Sequence, residues 1–167
     1  KQNLLDKAIE ALDGQTIKKV VIMSPYFDAP DKFDESMISE WLAKEVKVVI
    51  CVPVDTLYSS IPDEQIQKLK KKYPRNLTLL GLKTDRRKIL HAKCMLLMGS
   101  SRTVMMSGSA NFTKAALQGK NVELCDLNVL KRSQAEVYLR ALLKDAKEIG
   151  SDAMPKRNQQ HQNRFKG

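Results

Sequence analysis

The sequence predicts an α/β fold, with a mixed central β-sheet flanked by helices. Two observations predict it. Short apolar runs rich in β-branched residues alternate with segments of helical periodicity along the 167 residues. Two strand-like runs are also joined by the short segment Gly99-Ser100-Ser101, which is typical of an antiparallel hairpin. We expect residues 1–150 to form one domain. Residues 151–167 are polar and basic without apolar periodicity, which indicates a tail or linker.

The N-terminal part of the chain predicts two helix–strand pairs. Residues 3–12 have helical spacing, and residues 19–23 are a continuous apolar run typical of a buried strand. This run leads into Ser24-Pro25-Tyr26-Phe27-Asp28, a loop of polar and aromatic side chains. Residues 36–44 predict the next helix, and residues 46–52 predict a second buried strand.

The middle of the chain predicts one more helix and three strands. We expect Asp63 to cap a helix over residues 64–72 and residues 77–82 to form the third strand. Residues 89–98 and 103–107 predict the two strands of the hairpin.

The C-terminal part predicts a short helix, a strand and a longer helix. These cover residues 113–117, 122–130 and 134–149. Alternation of strands and helices along the whole chain indicates a layered domain, and the hairpin makes its sheet mixed.

The amino-acid composition limits the classes of protein to which the chain can belong. The chain is 43% hydrophobic and has no apolar run long enough to span a bilayer, so it is predicted to be globular. No basic-then-apolar signal begins the sequence, so we expect a cytoplasmic protein without stable membrane association. Cys51, Cys94 and Cys125 are widely spaced in apolar runs, which favours reduced, buried thiols. Since only His91 and His161 are histidines, we expect no metal and no other cofactor.

A net charge of +10 is typical of a protein with a polyanionic partner, either nucleic acid or an anionic membrane surface, and the charge alone fits a solvated surface about equally well. Four cations lie just before His91, where they are expected to follow a phosphate backbone: Lys83, Arg86, Arg87 and Lys88. A second basic run at residues 68–72 lies on a predicted helix and is more typical of a solvated face.

The residues that carry chemistry lie in two pairs spaced by two. In the predicted strand 89–98, alternation places His91 and Lys93 on the same face. Ser109 and Asn111 follow the next strand, and Gly108 permits a tight backbone there that exposes amide donors to an anion. Because the two strands form a hairpin, we expect both pairs to converge at one end of the sheet. Together they provide a nucleophile and donors for phosphate oxygens.

This pattern, H-x-K followed by G-S-x-N, resembles the phospholipase D superfamily, whose motif is HxKxxxxD and then GSxN. The match covers residues 89–113, and the strand and loop over residues 19–28 are also similar. Met98 stands where the family has aspartate. The resemblance implies that Glu123, as in single-motif nucleases of this superfamily, orients the histidine. A carboxylate within the predicted strand 122–130 also needs a partner such as an imidazole N–H.

The resemblance further implies a metal-independent mechanism through a phosphohistidine. His91 is the nucleophile, and Lys93, Asn111 and Ser109 stabilise the phosphate oxygens. A second histidine has to protonate the leaving group, yet His161 lies in the tail without a matching lysine. The chain is therefore expected to act as a homodimer in which each copy supplies one histidine.

The sequence is compatible with three functions. The favoured one is a nuclease acting on nucleic acid, with DNA preferred because of the charge. The second is a non-catalytic or weakly active nucleic-acid-binding module of a larger helicase or restriction protein, with which Met98 and the Lys1 start are compatible. The third is a phospholipid-processing phosphodiesterase.

Overall fold

A computed structural model describes residues 3–28, 37–53, 62–82 and 92–149 of the chain. In chain order, the elements of these ranges are α1 (Leu4–Glu10), β1 (Lys19–Met23), α2 (Met37–Ala43), β2 (Lys47–Pro53), α3 (Asp63–Lys72), β3 (Leu77–Leu82), β4 (Cys94–Met98), β5 (Arg102–Gly108), α4 (Lys114–Leu117), β6 (Cys125–Lys131), α5 (Arg132–Leu142) and β7 (Ala146–Glu148).

The strands form one mixed seven-stranded sheet in the order β6-β5-β4-β1-β2-β3-β7. β1, β2 and β3 are parallel, whereas β4, β5, β6 and β7 each pair antiparallel with a neighbour. β4 and β5 are the predicted hairpin around Gly99-Ser100-Ser101. The prediction of an α/β fold with a mixed sheet is confirmed.

The sheet is covered on both faces, which explains why its central strands are continuous apolar runs. In β1, Val20 and Ile22 belong to a large core with the side chains of α1 to α4, and Val21 and Met23 belong to a smaller core under α5. A strand with helices on both sides has no solvated face. The molecule is therefore an α/β/α sandwich.

The C-terminal helix ends earlier than its periodicity predicts. The predicted helix 134–149 is α5 followed by a turn and β7, which pairs with the outer side of β3 between Leu80 and Leu82. Val137 and Leu142, two apolar side chains of α5, are 61% and 38% exposed. The backbone of β3 offered a free pairing side at that point, which helical periodicity cannot reveal.

Two other local predictions need correction. Pro62 occupies the N-cap position of α3 and Asp63 is its first helical residue, so the predicted cap at Asp63 is wrong. Cys51 is buried, but Cys94 and Cys125 are only partly buried, although all three thiols are free as expected. Residues 151–167 lie outside the described ranges, and the division of the chain at residue 150 stays a prediction.

Candidate active site

Four strand ends meet at one end of the sheet, which we call the site end. β1 and β5 finish there and β4 and β6 begin there, because Met23 pairs with Cys94 and Gly108 pairs with Cys125. The described candidate residues Lys93, Ser109 and Glu123 therefore lie within two residues of these strand ends. The expected convergence of the two motifs is present for their described members.

Lys93 lies immediately before β4 rather than inside it. Of the described residues of the predicted strand 89–98, those from Cys94 to Met98 are strand, and Ala92 lies before it and is exposed. The reason is that β1 ends opposite Cys94, so no neighbour remains on that side for pairing. Lys93 is therefore not a strand residue, and the expectation that it shares a face with His91 stays a prediction. His91 lies outside the described residues, as do Lys83, Arg86, Arg87 and Lys88, all of which follow the site end of β3.

The two motifs are joined through the backbone. The Gly108 N–H donates to the carbonyl oxygen of Lys93 at 3.3 Å. A Cβ on Gly108 would lie 2.2 Å from the Leu124 carbonyl oxygen and 2.7 Å from Cys125 Cα. Only glycine permits this approach, so Gly108 brings the segment that carries Glu123 against the end of β5.

Ser109 and Glu123 form the best-defined side-chain pair of the site. The Ser109 hydroxyl donates to Glu123 Oε2 at 2.5 Å, and the Asn121 amide donates to Glu123 Oε1 at 3.4 Å. Ser109 Oγ also accepts the Leu124 N–H at 3.0 Å. Glu123 precedes β6, between two exposed side chains, so the expected position inside a strand is wrong. Its carboxylate is held by a hydroxyl and an amide.

Asn111 presents an unsatisfied amide oxygen to the same region. Its Oδ1 is buried and has no hydrogen-bond partner within the described part of the chain. Asn111, Lys93 and Gly108 line a narrow cavity of about 10 Å³, the space of roughly one water molecule. A buried polar atom without a partner costs about 1–3 kcal/mol. Because an amide oxygen only accepts hydrogen bonds, the missing partner of Oδ1 is a donor, and the Nδ2 group of Asn111 is the part that can donate to a phosphate oxygen.

Ser24 is a site residue that the sequence reasoning missed. It is 1% exposed, and its Oγ accepts the Phe112 N–H at 3.0 Å and donates to the Tyr26 carbonyl oxygen at 2.7 Å. The hydroxyl thus ties the loop after β1 to the residue that follows Asn111. The only signal in the sequence is a serine directly after a buried strand.

Phe27 and Asp28 reinforce this link. The rings of Phe27 and Phe112 lie 5.8 Å apart, and Asp28 Oδ1 accepts the Lys114 N–H at 3.0 Å, at the start of α4. A buried hydroxyl, an aromatic pair and a carboxylate on one loop all hold the chain segment that carries Asn111. Ser24, Phe27 and Asp28 are therefore positioning residues for Asn111.

Met98 lies at the other end of β4 from Lys93. It is fully buried in the core under α5. The residue at the family's aspartate position is therefore part of the apolar packing in this protein, away from Ser109, Asn111 and Glu123.

The described residues contain no group of three or more histidine, cysteine or acidic side chains placed to hold a metal ion. Burial raises the pKa of the Cys51 thiol to about 12 and that of Cys94 to about 11. Both thiols are consequently poor nucleophiles near neutral pH. Within the described ranges, no helix has the length and apolar character needed to cross a membrane.

The fold and motifs define a family. Residues 9–149 match a family model described as "Cardiolipin synthase, PLD-like domain". Since the match covers most of the chain, the protein belongs to the phospholipase D superfamily. This membership supports phosphodiesterase-type chemistry in general.

Solved structures with a similar fold come from larger proteins. Yeast tyrosyl-DNA phosphodiesterase 1 is 17% identical with a TM-score of 0.47, and the match covers 78% of this chain and 32% of that one. Polyphosphate kinase from Porphyromonas gingivalis is 15% identical with a TM-score of 0.52, over 90% of this chain and 22% of that one. The chain thus spans under a third of the first of these structures. No curated protein gives a significant match.

Proposed function

We propose that the protein is a metal-independent phosphodiesterase that cleaves nucleic acid, with DNA preferred, through a phosphohistidine intermediate. The observation that carries the proposal is the meeting of Lys93, Asn111 and the Ser109–Glu123 pair at one end of the sheet. An ammonium group and an amide are suitable donors for phosphoryl oxygens. Lys93 also follows the only histidine of the domain, His91, by two positions.

In the proposed mechanism, a ring nitrogen of His91 attacks phosphorus, and the bond from phosphorus to the leaving oxygen breaks. A second histidine donates a proton to that oxygen and then takes one from water, which attacks the phosphohistidine and releases the phosphate ester. Lys93 and Asn111 stabilise the oxygens. Glu123 accepts the other ring N–H of His91 and so fixes its tautomer.

The contacts of Ser109 refine its proposed role. Its one hydroxyl proton is donated to Glu123, and its oxygen accepts the Leu124 N–H. In this arrangement Ser109 acts mainly by holding the Glu123 carboxylate, and the direct phosphate contacts fall to Lys93 and Asn111. Ser109 supplies a contact to phosphate only when its hydroxyl turns from Glu123.

The second histidine is proposed to come from another copy of the chain. His91 is the single histidine of residues 1–150, and the mechanism needs two. A two-fold dimer places two equivalent site ends together, so that each copy supplies one histidine.

The charge supports nucleic acid as the substrate. The net charge of +10 and the four cations between β3 and His91 suit a phosphate backbone. A phospholipid phosphodiesterase is the second candidate, because the matching family is described by a cardiolipin synthase. The phospholipid candidate shares the same site residues.

The test uses wild type, His91→Ala and Asn111→Ala with supercoiled plasmid in EDTA. We expect cleavage by wild type, no cleavage by His91→Ala and a rate lowered at least 100-fold in Asn111→Ala. Equal cleavage by all three proteins would contradict the proposed site. In a parallel arm, the proteins are incubated with phosphatidylglycerol vesicles. Lipid turnover without plasmid cleavage would select the second candidate.

A further inference from the structure

The end of the sheet opposite the site end carries cations on adjacent strands. Lys19 begins β1, Lys47 begins β2 and Arg75 lies two residues before β3. On the other side, Arg102 begins β5 and pairs with Lys131, the last residue of β6. We call six residues the basic row: Lys19, Lys47, Arg75, Arg102, Lys131 and Arg132.

Backbone contacts show that these strand ends are adjacent. Lys19 pairs with Lys47 in the sheet, and the Val48 N–H donates to the Asn76 carbonyl oxygen at 2.7 Å. At the end of β4, between Arg102 and Lys19, the Arg132 guanidinium donates to the Gly99 carbonyl oxygen at 2.5 Å. The row therefore crosses six consecutive strands. At 4.7–4.9 Å per strand, it is about 24 Å long.

Within the described part of the chain, local contacts account for two of the six cations, Arg102 and Arg132, whose guanidinium groups also donate to the Ala11 and Gly99 carbonyl oxygens. Lys131 and Arg132 lie at the N-terminus of α5, the positive end of the helix dipole, where cations are unfavourable, and the first turn has no acidic residue. Arg102 and Arg132 each have one ion pair, with Asp13 at 3.3 Å and Glu136 at 3.0 Å. Burial lowers the pKa of Lys19, and the charges of Arg132 and Lys47 lower it further against the opposing effect of Glu136. Lys19 is therefore repelled by Arg132 and Lys47.

Polar groups accompany the cations at one end of the row. An open groove of about 850 Å³ is lined by Arg102, Lys131 and Arg132 together with Gln15, Ser101 and Gln134. The Glu136 carboxylate and the apolar side chains of Val129 and Leu130 also line it. Guanidinium, ammonium, hydroxyl and amide groups are the donors that proteins use for phosphate oxygens.

We infer that the basic row binds the phosphate backbone of a nucleic acid, at the opposite end of the sheet from the candidate active site. The extension of the row along six strand ends suits a linear polyanion, whose phosphates would relieve the repulsion of Lys19 by Arg132 and Lys47. This inference does not depend on catalysis at the site end. It gives the protein a second contact with nucleic acid, separate from the cations before His91.

The test compares two triple variants with equal loss of charge. The row variant is Lys47→Gln/Arg75→Gln/Lys131→Gln, three exposed positions that form no side-chain ion pair with another described residue. The control variant is Lys7→Gln/Lys68→Gln/Arg140→Gln, three exposed positions on helices α1, α3 and α5. Binding of labelled single-stranded and duplex 20-mers is measured by fluorescence anisotropy between 50 and 200 mM salt, with EDTA present and in an Asn111→Ala background.

We expect the row variant to bind at least 10-fold more weakly, with a slope of log affinity against log salt smaller by about 2–3. The control variant should stay within about threefold of its parent. Equal effects of the two variants would overturn the inference, since only net charge would matter. Loss of binding to phosphatidylserine vesicles with unchanged nucleic-acid affinity would overturn it in favour of a membrane surface.

Hydrolysis of the small diester bis(4-nitrophenyl) phosphate separates this inference from the proposed function. With Asn111 restored, the row variant should hydrolyse the small diester at the parental rate, because the row is far from the site end. If nucleic-acid binding depends on the row but the protein shows no cleavage, the proposed function would be overturned and the inference about the row would be supported. If the protein cleaves nucleic acid but its two triple variants bind equally, the proposed function would be supported and the inference about the row would be overturned.

Discussion

Gly108 is the residue at which one added methyl group would disturb the candidate site most directly. In Gly108→Ala the new Cβ would meet the Leu124 carbonyl oxygen at 2.2 Å, and neither backbone can move without breaking the pairing of β5 and β6. We expect a loss of about 2–4 kcal/mol in the free energy of unfolding, measured with urea. Gly119→Ala, where only Asn3 Cβ lies within 4 Å, is a control for glycine replacement at positive φ. A Gly108→Ala protein no less stable than this control would contradict the packing argument.

Glu123 and Ser109 should act through His91 rather than on the substrate. Glu123→Gln keeps an acceptor oxygen for Ser109, but it replaces the oxygen that accepts the Asn121 amide by an NH2 group and removes the charge that supports an imidazolium. We expect kcat to fall about 10- to 100-fold with little change in KM, since orientation of an active-site histidine by its outer partner has effects of that size. Ser109→Ala should show a smaller fall in the same direction. A change confined to KM would assign both residues to substrate binding instead.

Ser24 joins two elements of the site, the loop after β1 and the segment between β5 and α4. Ser24→Ala leaves the buried Phe112 N–H without its acceptor, so we expect a loss of about 1–3 kcal/mol in unfolding free energy. Because Asn111 precedes Phe112, the rate on a phosphodiester should also fall. Ser100→Ala, at the exposed turn at the other end of the sheet, is a control expected to change neither. Full activity of Ser24→Ala would show that Asn111 is held by other contacts.

Cys51 reports on the integrity of β2. Burial raises its pKa from 9.0 to about 12 in the folded chain, so its thiol stays protonated where the unfolded chain ionises. The contribution of the protonated Cys51 thiol to the free energy of unfolding is therefore complete below about pH 9 and is lost as the pH rises towards 12. We expect a thiol reagent at pH 8 to label Cys51 at least about 10-fold more slowly in the native protein than in urea. Labelling is located by peptide mass spectrometry. Equal rates would mean that β2 opens readily.

At the scale of the whole molecule, the proposed dimer makes activity depend on pairing. If each site needs a histidine from both copies, mixing wild type with an equal amount of His91→Ala should lower the activity per wild-type chain to about half, after exchange of subunits. Sedimentation equilibrium should give twice the chain mass of 18.9 kDa. Unchanged activity per wild-type chain would mean that one copy carries a complete site.

The sequence predicted the fold best where a single physical effect, such as burial on both faces of a sheet, determines the local structure. The bounds of β1 and β3, residues 19–23 and 77–82, were predicted to the residue, since strands buried on both faces must be continuous apolar runs between polar ends. The H-x-K and G-S-x-N spacings likewise indicated which residues would share one end of the sheet. A hairpin of fixed length brings the start of one strand beside the end of the next.

Only the tertiary structure decided the features that depend on a distant neighbour. β7 forms because β3 has a free pairing side, Lys93 leaves the sheet because β1 ends beside it, and Glu123 finds Ser109 because Gly108 lacks a side chain. Ser24 and the basic row were equally hidden in the sequence. Their members are far apart in the chain and become neighbours only through the order of the strands. Local patterns thus determined the strands and the chemistry available to this protein, and the strand order decided which side chains meet.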